Sequence, residues 1–213
     1  MATRPRPPSV ETLRALGPAL VTARTGTLLW RVYFRGVPHA PPWHALRPFG
    51  PTGSGRFDHH VPPGTRRGAR PDRAILYAAD QGAAALAEVF QEKRTIDRTD
   101  REPWLVAFAL ARDVALLDLT GDWPARAGAN TEALCSGPHE ASQRWSRVIH
   151  EAYPEVEGLR YASSVVAGSL ACALYERARS ALPARPELHR ALTDPLLAST
   201  LEEAARDLGY AVV

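Results

Sequence analysis

Prolines at positions 38, 41, 42, 48, 51, 62, 63 and 71 crowd the stretch between Gly36 and Asp72. Each fixes its own φ, removes a backbone N–H and clashes with a preceding helical turn, so neither a long helix nor a central strand fits there. The chain has 213 residues, enough for one sizeable core and too few for two comfortable domains. The regular elements therefore come from the two flanks of a long loop.

Directly after that loop, Ile75-Leu76-Tyr77 is an apolar, partly β-branched run that reads as a buried strand. Asp80 offers a carboxylate N-cap to the Ala- and Leu-rich segment that follows, which predicts a helix to Phe90. On a 3.6-residue wheel Ala83, Leu86, Val89 and Phe90 share the side expected to face the core, and Glu88 falls on the other beside Ala84 and Ala85. Tyr77 at the strand end and Glu88 on the helix can frame a pocket from two rigid elements. Spacing alone equally fits a core aromatic and a solvated glutamate.

Upstream, Leu13, Leu16 and Leu20 predict a short helix within residues 10–21, interrupted near Gly17-Pro18. Residues 27–34, TLLWRVYF, read as a strand whose alternation puts Leu29, Arg31 and Tyr33 on one face. An arginine in such a strand ordinarily sits on the wet face; the functional alternative aims it into a cleft. Downstream, residues 104–110 and 114–119 read as strands, Gly121 to Pro124 as a turn, and 139–152 as a helix with Trp145, Val148 and Ile149 on its apolar side. Residues 170–175 form another strand. Thr193-Asp194-Pro195 starts a final helix through Leu208, closed by Gly209, before a last strand at 210–213. The order predicts an α+β protein: a single domain at 27–213 with a mixed sheet and flanking helices, and residues 1–26 as an N-terminal extension carrying a short helix.

Composition excludes several classes. Lys+Arg number 26 against 23 Asp+Glu, a net charge of +3 that allows nucleic-acid binding without implying it. Only Lys93 is a lysine, so nearly every cation is a guanidinium suited to bidentate phosphate and carboxylate pairing. Cys135 and Cys172 form no CxxC pair, which leaves neither a disulfide framework nor a zinc ribbon. The N-terminus lacks a continuous apolar h-region and no run reaches membrane-helix length, so a cytoplasmic location without membrane contact is expected. There is no GxSxG and no HExxH. His59-His60 cannot easily turn both rings onto one metal and reads as a surface pair in a loop, so no metal is expected. Cys135 reads as a packed thiol. Gly53-Ser54-Gly55 is followed by no helix, as a phosphate-binding loop requires. Arg66, Arg67, Arg70 and Arg73 read first as a solvated basic surface, with a nucleic-acid contact or a lid over an anion as alternatives.

Five separated polar positions remain: Arg31, Arg56, Tyr77, Glu88 and a serine near 163. They stand within Gly55-Arg56-Phe57, then Ile75-Leu76-Tyr77-Ala78-Ala79, then Ala87-Glu88-Val89, then Gly158-Leu159-Arg160-Tyr161-Ala162-Ser163. In that order these blocks resemble the RES domain family, and the resemblance continues through Ala173 to Ala178 and the C-terminal tail. What it implies is a fold similar to ADP-ribosyltransferase toxins and the toxin role in a toxin–antitoxin pair. The implied activity breaks the nicotinamide–ribose bond of NAD, by hydrolysis or with phosphate as co-substrate. NAD is then a substrate, no cofactor is needed, and the partner is a helical antitoxin with an Xre-like DNA-binding part. The resemblance assigns Glu88, Arg56 and Tyr77 to catalysis. It assigns Arg31, Arg56, Tyr77 and Ser163 to substrate binding, with Ser164 as rival because the block aligns one residue either way. The connection between Arg56 and Tyr77 is longer than the family's.

The chemistry asks for such groups. Cleaving an N-glycosidic bond builds positive charge on the ribose, which a carboxylate such as Glu88 stabilises. Arginines clamp a pyrophosphate through charge-assisted bonds, and a tyrosine stacks on nicotinamide. Two alternatives stay open: transfer of ADP-ribose to a protein, and a non-catalytic module that contacts nucleic acid through the 66–73 arginines.

Overall fold

The apolar run after the proline-rich loop forms strand β3 (Ile75–Ala79), with four of its five residues buried. The computed structural model describes residues 6–62, 72–130, 134–135 and 137–213. The other strands are β1 (Leu20–Ala23), β2 (Leu28–Phe34), β4 (Thr95–Ile96), β5 (Pro103–Ala109), β6 (Val114–Asp118), β7 (Gly158–Ala162), β8 (Leu170–Tyr175), β9 (Leu188–Ala191) and β10 (Ala211–Val212). Eight of them form one sheet of order β1-β6-β7-β8-β3-β2-β5-β9, while β10 pairs in parallel with β4. Within the large sheet only β6 and β7 are parallel neighbours. β2 pairs with β5 along its whole length but meets β3 at a single position, Trp30 opposite Ala79. That junction is a seam between two half-sheets.

Helices α1 (Val10–Leu16), α2 (Gly82–Phe90), α3 (Trp123–Arg126), α4 (His139–Ala152) and α5 (Ala198–Leu208) cover the sheet. Leu13 of α1, Trp123 of α3 and Trp145 and Ile149 of α4 pack on the face that carries Ile75, Leu159, Tyr161 and Tyr175. Helices α2 and α5 bring Leu86, Phe90 and Leu201 against Val32 and Leu105 beyond the seam. Among the described residues no helix is long and apolar enough to cross a membrane.

The expected elements are present, with shifts that have local causes. Gly17, at φ +76°, closes α1 by donating its N–H to Leu13 O, so the periodic leucines split and Leu20 opens β1 instead. Residues 10–23, expected as an extension, are built into the body: β1 pairs with β6, and Tyr153 Oη–H donates to Leu13 O at 2.6 Å. Asp80 does not cap α2. Gln81 holds the N-cap position without a side-chain bond, and Asp80 instead accepts from the Ser169 hydroxyl. Val89 is exposed, whereas Ala84 and Ala85 are buried against Val166 and Trp30. The loop after β7 covers the side of α2 that a two-sided wheel leaves to solvent. The turn expected at 121–124 continues as α3, with Pro124 tolerated in the first helical turn. Asp194 caps a 3-10 turn, Pro195–Leu197, ahead of α5, and Gly209 ends that helix in the left-handed conformation at φ +64°.

Helix α4 holds the proline-rich segment through a polar stripe. His139 Nδ1 meets Gly53 O at 2.7 Å, and Gln143 Nε2 donates to Thr52 O and Gly55 O, both at 2.8 Å. One turn on, the Ser146 hydroxyl donates to Phe57 O at 2.7 Å, and the His150 ring stacks on His59 at 4.4 Å. Positions 139, 143, 146 and 150 lie on one helical face. A buried loop backbone needs such partners.

Candidate active site

Strands β3 and β7 both run antiparallel to β8, which lies between them, so the two run in the same direction and end at the same edge of the sheet. β3 leads into α2 with Glu88, and β7 leads into Ser163. There the Ser163 hydroxyl donates to Glu88 Oε1 at 2.7 Å and accepts from the N–H groups of Val165 and Val166 at 3.2 and 3.1 Å. The turn that begins at Ser163 thus fixes its hydroxyl, and the hydroxyl fixes one carboxylate oxygen. Ser164, the rival, is exposed.

Tyr77 and Tyr161 occupy the same sheet face as Leu159, Ala171 and Ala173. Burial pushes the Tyr161 hydroxyl well above its ordinary value; the negative charge of Glu88 adds to this and the positive charge of Arg56 opposes it. Both charges therefore act on one phenol, and among the described residues no hydrogen bond or ion pair joins Arg56 to Glu88. Arg56 donates Nη1–H to Gly137 O at 2.6 Å, just ahead of α4. Phe57 packs its ring on Tyr161 at 4.6 Å. Tyr77 is tied into the loop: its hydroxyl donates to Asp58 Oδ1 at 2.8 Å and accepts from Phe57 N–H at 3.0 Å. Burial, reinforced by the Asp58 carboxylate, holds that phenol protonated far above the neutral range.

Arg31 takes a different place. Trp30 lies opposite Ala79, so Arg31 shares the opposite sheet face with Leu29 and Tyr33, away from Tyr77. Its Nη1–H donates to Trp43 O at 2.8 Å, Nε is buried without a partner, and burial lowers its pKa to about 10. Among the described residues no hydrogen bond or ion pair joins Arg31 to Tyr77, Glu88 or Ser163, and no carboxylate pairs with it.

Two expectations about the long loop are corrected. His59 and His60 are buried, not surface residues. His59 Nε2 and His150 Nε2 donate to the two oxygens of Glu176 at 2.9 and 2.7 Å. Burial lowers His59 to about 4 and lowers His150 as well, so both are neutral near pH 7. These three side chains converge closely enough to hold a metal ion. The surrounding donors oppose one: Arg177 Nη2, a donor, lies 3.4 Å from His150 Nδ1, which makes Nδ1 the acceptor and Nε2 the proton carrier. A metal on Nε2 would turn Nδ1 into a donor facing a guanidinium. Arg73 is also buried, with Nη2 on Glu151 Oε1 at 2.9 Å and Nη1 on His59 O, so it belongs to the core and not to a basic surface. Arg66, Arg67 and Arg70 lie outside the described residues. The Cys135 thiol is packed, and burial raises its pKa.

Sequence reasoning did not single out Asp58, Tyr161, or the His59–His150–Glu176 cluster. The one available signal for Asp58 was its place in Gly55-Arg56-Phe57-Asp58, two positions after the candidate arginine.

A serine-braced glutamate on the helix after a central strand, with an arginine, the buried Tyr161 and the half-buried Tyr77 on neighbouring elements, defines a single mixed α+β domain with a polar site at one edge of its sheet. The RES domain family model matches residues 28–195, most of the chain, and the chain belongs to that family. Among solved structures, a chain of the Mycobacterium tuberculosis MbcT–MbcA toxin–antitoxin complex is similar in fold, with a TM-score of 0.58 and 18% identity over 91% of this chain and 96% of that one. No curated protein matches.

Proposed function

We propose that this chain is the toxin of a toxin–antitoxin pair and that it cleaves the nicotinamide–ribose bond of NAD. Membership of the RES family and the likeness to a chain of a toxin–antitoxin complex support the role. The observation that carries the chemistry is the 2.7 Å bond from Ser163 to Glu88 Oε1. It orients the carboxylate and leaves the second oxygen to hold a ribose hydroxyl while positive charge builds on the sugar. Nicotinamide leaves as a neutral ring, so no general acid is required, which suits a site whose two tyrosines hold their protons. Arg56 supplies charge for the pyrophosphate. Arg31, expected to bind the same anion, lies on the opposite sheet face with its guanidinium on Trp43 O, and this reading gives it no contact with the substrate. Water or phosphate takes the ribosyl group.

The test is release of nicotinamide from NAD by the purified protein. Glu88→Gln keeps the shape and removes the charge, so turnover should fall about 100-fold or more while the melting temperature stays near that of wild type. Undiminished turnover in that variant would overturn the assignment. Running the reaction with and without phosphate separates ADP-ribose from its phosphorylated counterpart as product. Label passing from NAD to protein would favour the transferase alternative. The nucleic-acid alternative loses Arg73, which is buried in an ion pair.

A further inference from the structure

We propose that Asp58 is the positioning residue of this site, acting through Tyr77 and through the segment that carries Arg56. The Asp58 carboxylate is completely buried. Oδ1 accepts from the Tyr77 hydroxyl at 2.8 Å and from Arg47 Nη2–H. Oδ2 accepts from Thr52 N–H at 2.7 Å and the Thr52 hydroxyl at 3.0 Å. Four donors on one carboxylate tie three stretches together: Arg47, which pairs as an isolated bridge with Ile75 of β3; Thr52, whose hydroxyl accepts from Gly55 N–H at 3.1 Å; and Tyr77 itself.

The arrangement explains the glycines around it. A Cβ at Gly55 would collide with the Asp58 carboxylate, and one at Gly50 would lie 3.0 Å from Oδ2. The Gly-rich turn is the socket of this carboxylate. Between Gly55 and Asp58 only Arg56 and Phe57 remain. Phe57 N–H is bound by Tyr77 and its carbonyl by Ser146, so the Arg56 backbone is fixed from both sides. Tyr77 donates its proton to Asp58, so that proton serves the loop and not the substrate.

The kinetic part of the test rests on the proposed NAD cleavage; a second part does not. In Asp58→Asn an amide N–H2 replaces one of the two oxygens, each of which faces two donors, so the socket loosens and Arg56 loses its fixed approach. KM for NAD is expected to rise about tenfold with kcat within twofold, because binding to the pyrophosphate is lost equally in ground and transition states. A merely structural role would lower kcat with the folded fraction and leave KM unchanged, and that result overturns the proposal. Independently of NAD, phenylglyoxal modification mapped by peptide mass spectrometry should proceed at least threefold faster at Arg56 in Asp58→Asn, with Arg190 on β9 unchanged as internal control. An unchanged Arg56 rate overturns the proposal whether or not the wild type cleaves NAD; an inactive wild type with a faster Arg56 rate overturns only the NAD reading. Should Asp58→Asn fail to accumulate, Thr52→Val removes one donor and carries both measurements in the same direction with smaller amplitude.

Discussion

At the scale of single residues, the site depends on hydrogen bonds that commit each polar atom to one job. Ser163 spends its proton on Glu88 and its lone pairs on the turn that follows. Removing it leaves the carboxylate in place but unguided. Ser163→Ala should therefore lower turnover about tenfold, the equivalent of ~1.4 kcal/mol, while Ser164→Ala leaves nicotinamide release at the wild-type rate. Equal effects of the two substitutions would contradict the geometry. Arg56, Tyr77, Glu88 and Ser163 are the residues that the sequence proposes, because they fall in short ordered blocks. Asp58 was not, although it follows Phe57 directly. An aspartate in a Pro-rich loop has the same local pattern whether its carboxylate is solvated or receives four donors.

At the scale of elements, α4 shows how an amphipathic helix can hide a second face. Trp145 and Ile149 mark the apolar stripe, as the spacing predicted, and Val148 packs at its margin. Gln143, Ser146 and His150 are buried too, because the opposite partner is a loop backbone with amide groups to satisfy. Gln143→Leu should destabilise the fold by about 1–3 kcal/mol, since the carbonyls of Thr52 and Gly55 lose their donor. Urea unfolding reads this directly, and an unshifted midpoint would show that another donor takes over. The same logic applies to α2. Its wheel separated one core side from one polar side correctly for Leu86 and Phe90, but the loop after Ser163 folds back over Ala84 and Ala85. Strands β1, β4, β7 and β9 escaped the sequence because each is short or interrupted by polar residues, and pairing rather than propensity makes them strands.

At the scale of the whole molecule, the His59–His150–Glu176 cluster ties the loop before β3, helix α4 and the end of β8 into one unit. Burial keeps the histidines neutral in the fold: His59 drops to about 4 from an ordinary 6.5. Burial works against ionisation of Glu176, yet the bonds from His150 and His59 hold it below the usual carboxylate range. Above pH 6.5 the histidines are neutral in both folded and unfolded chains and add no pH dependence. Below that, the unfolded chain takes up protons that the folded one refuses, so stability declines as pH falls toward about 4. For His59 alone the loss amounts to about 3 kcal/mol. Melting temperature should thus drop between pH 6.5 and 4.5. His59→Gln, which can still donate to Glu176 but does not titrate, should show a shallower slope, and an identical slope would remove His59 as the cause.

From the sequence alone came what depends on neighbours within a few positions. The long loop follows from its prolines, the strand–helix unit at 75–90 and helix α4 follow from their periods, and the ordered blocks led to the family. Only the tertiary structure decided which polar group meets which. Ser163 and Glu88 are 75 positions apart, and His59 and Glu176 are 117 apart. Periodicity and propensity are short-range properties of a chain, whereas a buried carboxylate or imidazole takes its partner, its proton and its exposure from whatever the folded sheet and helices bring against it.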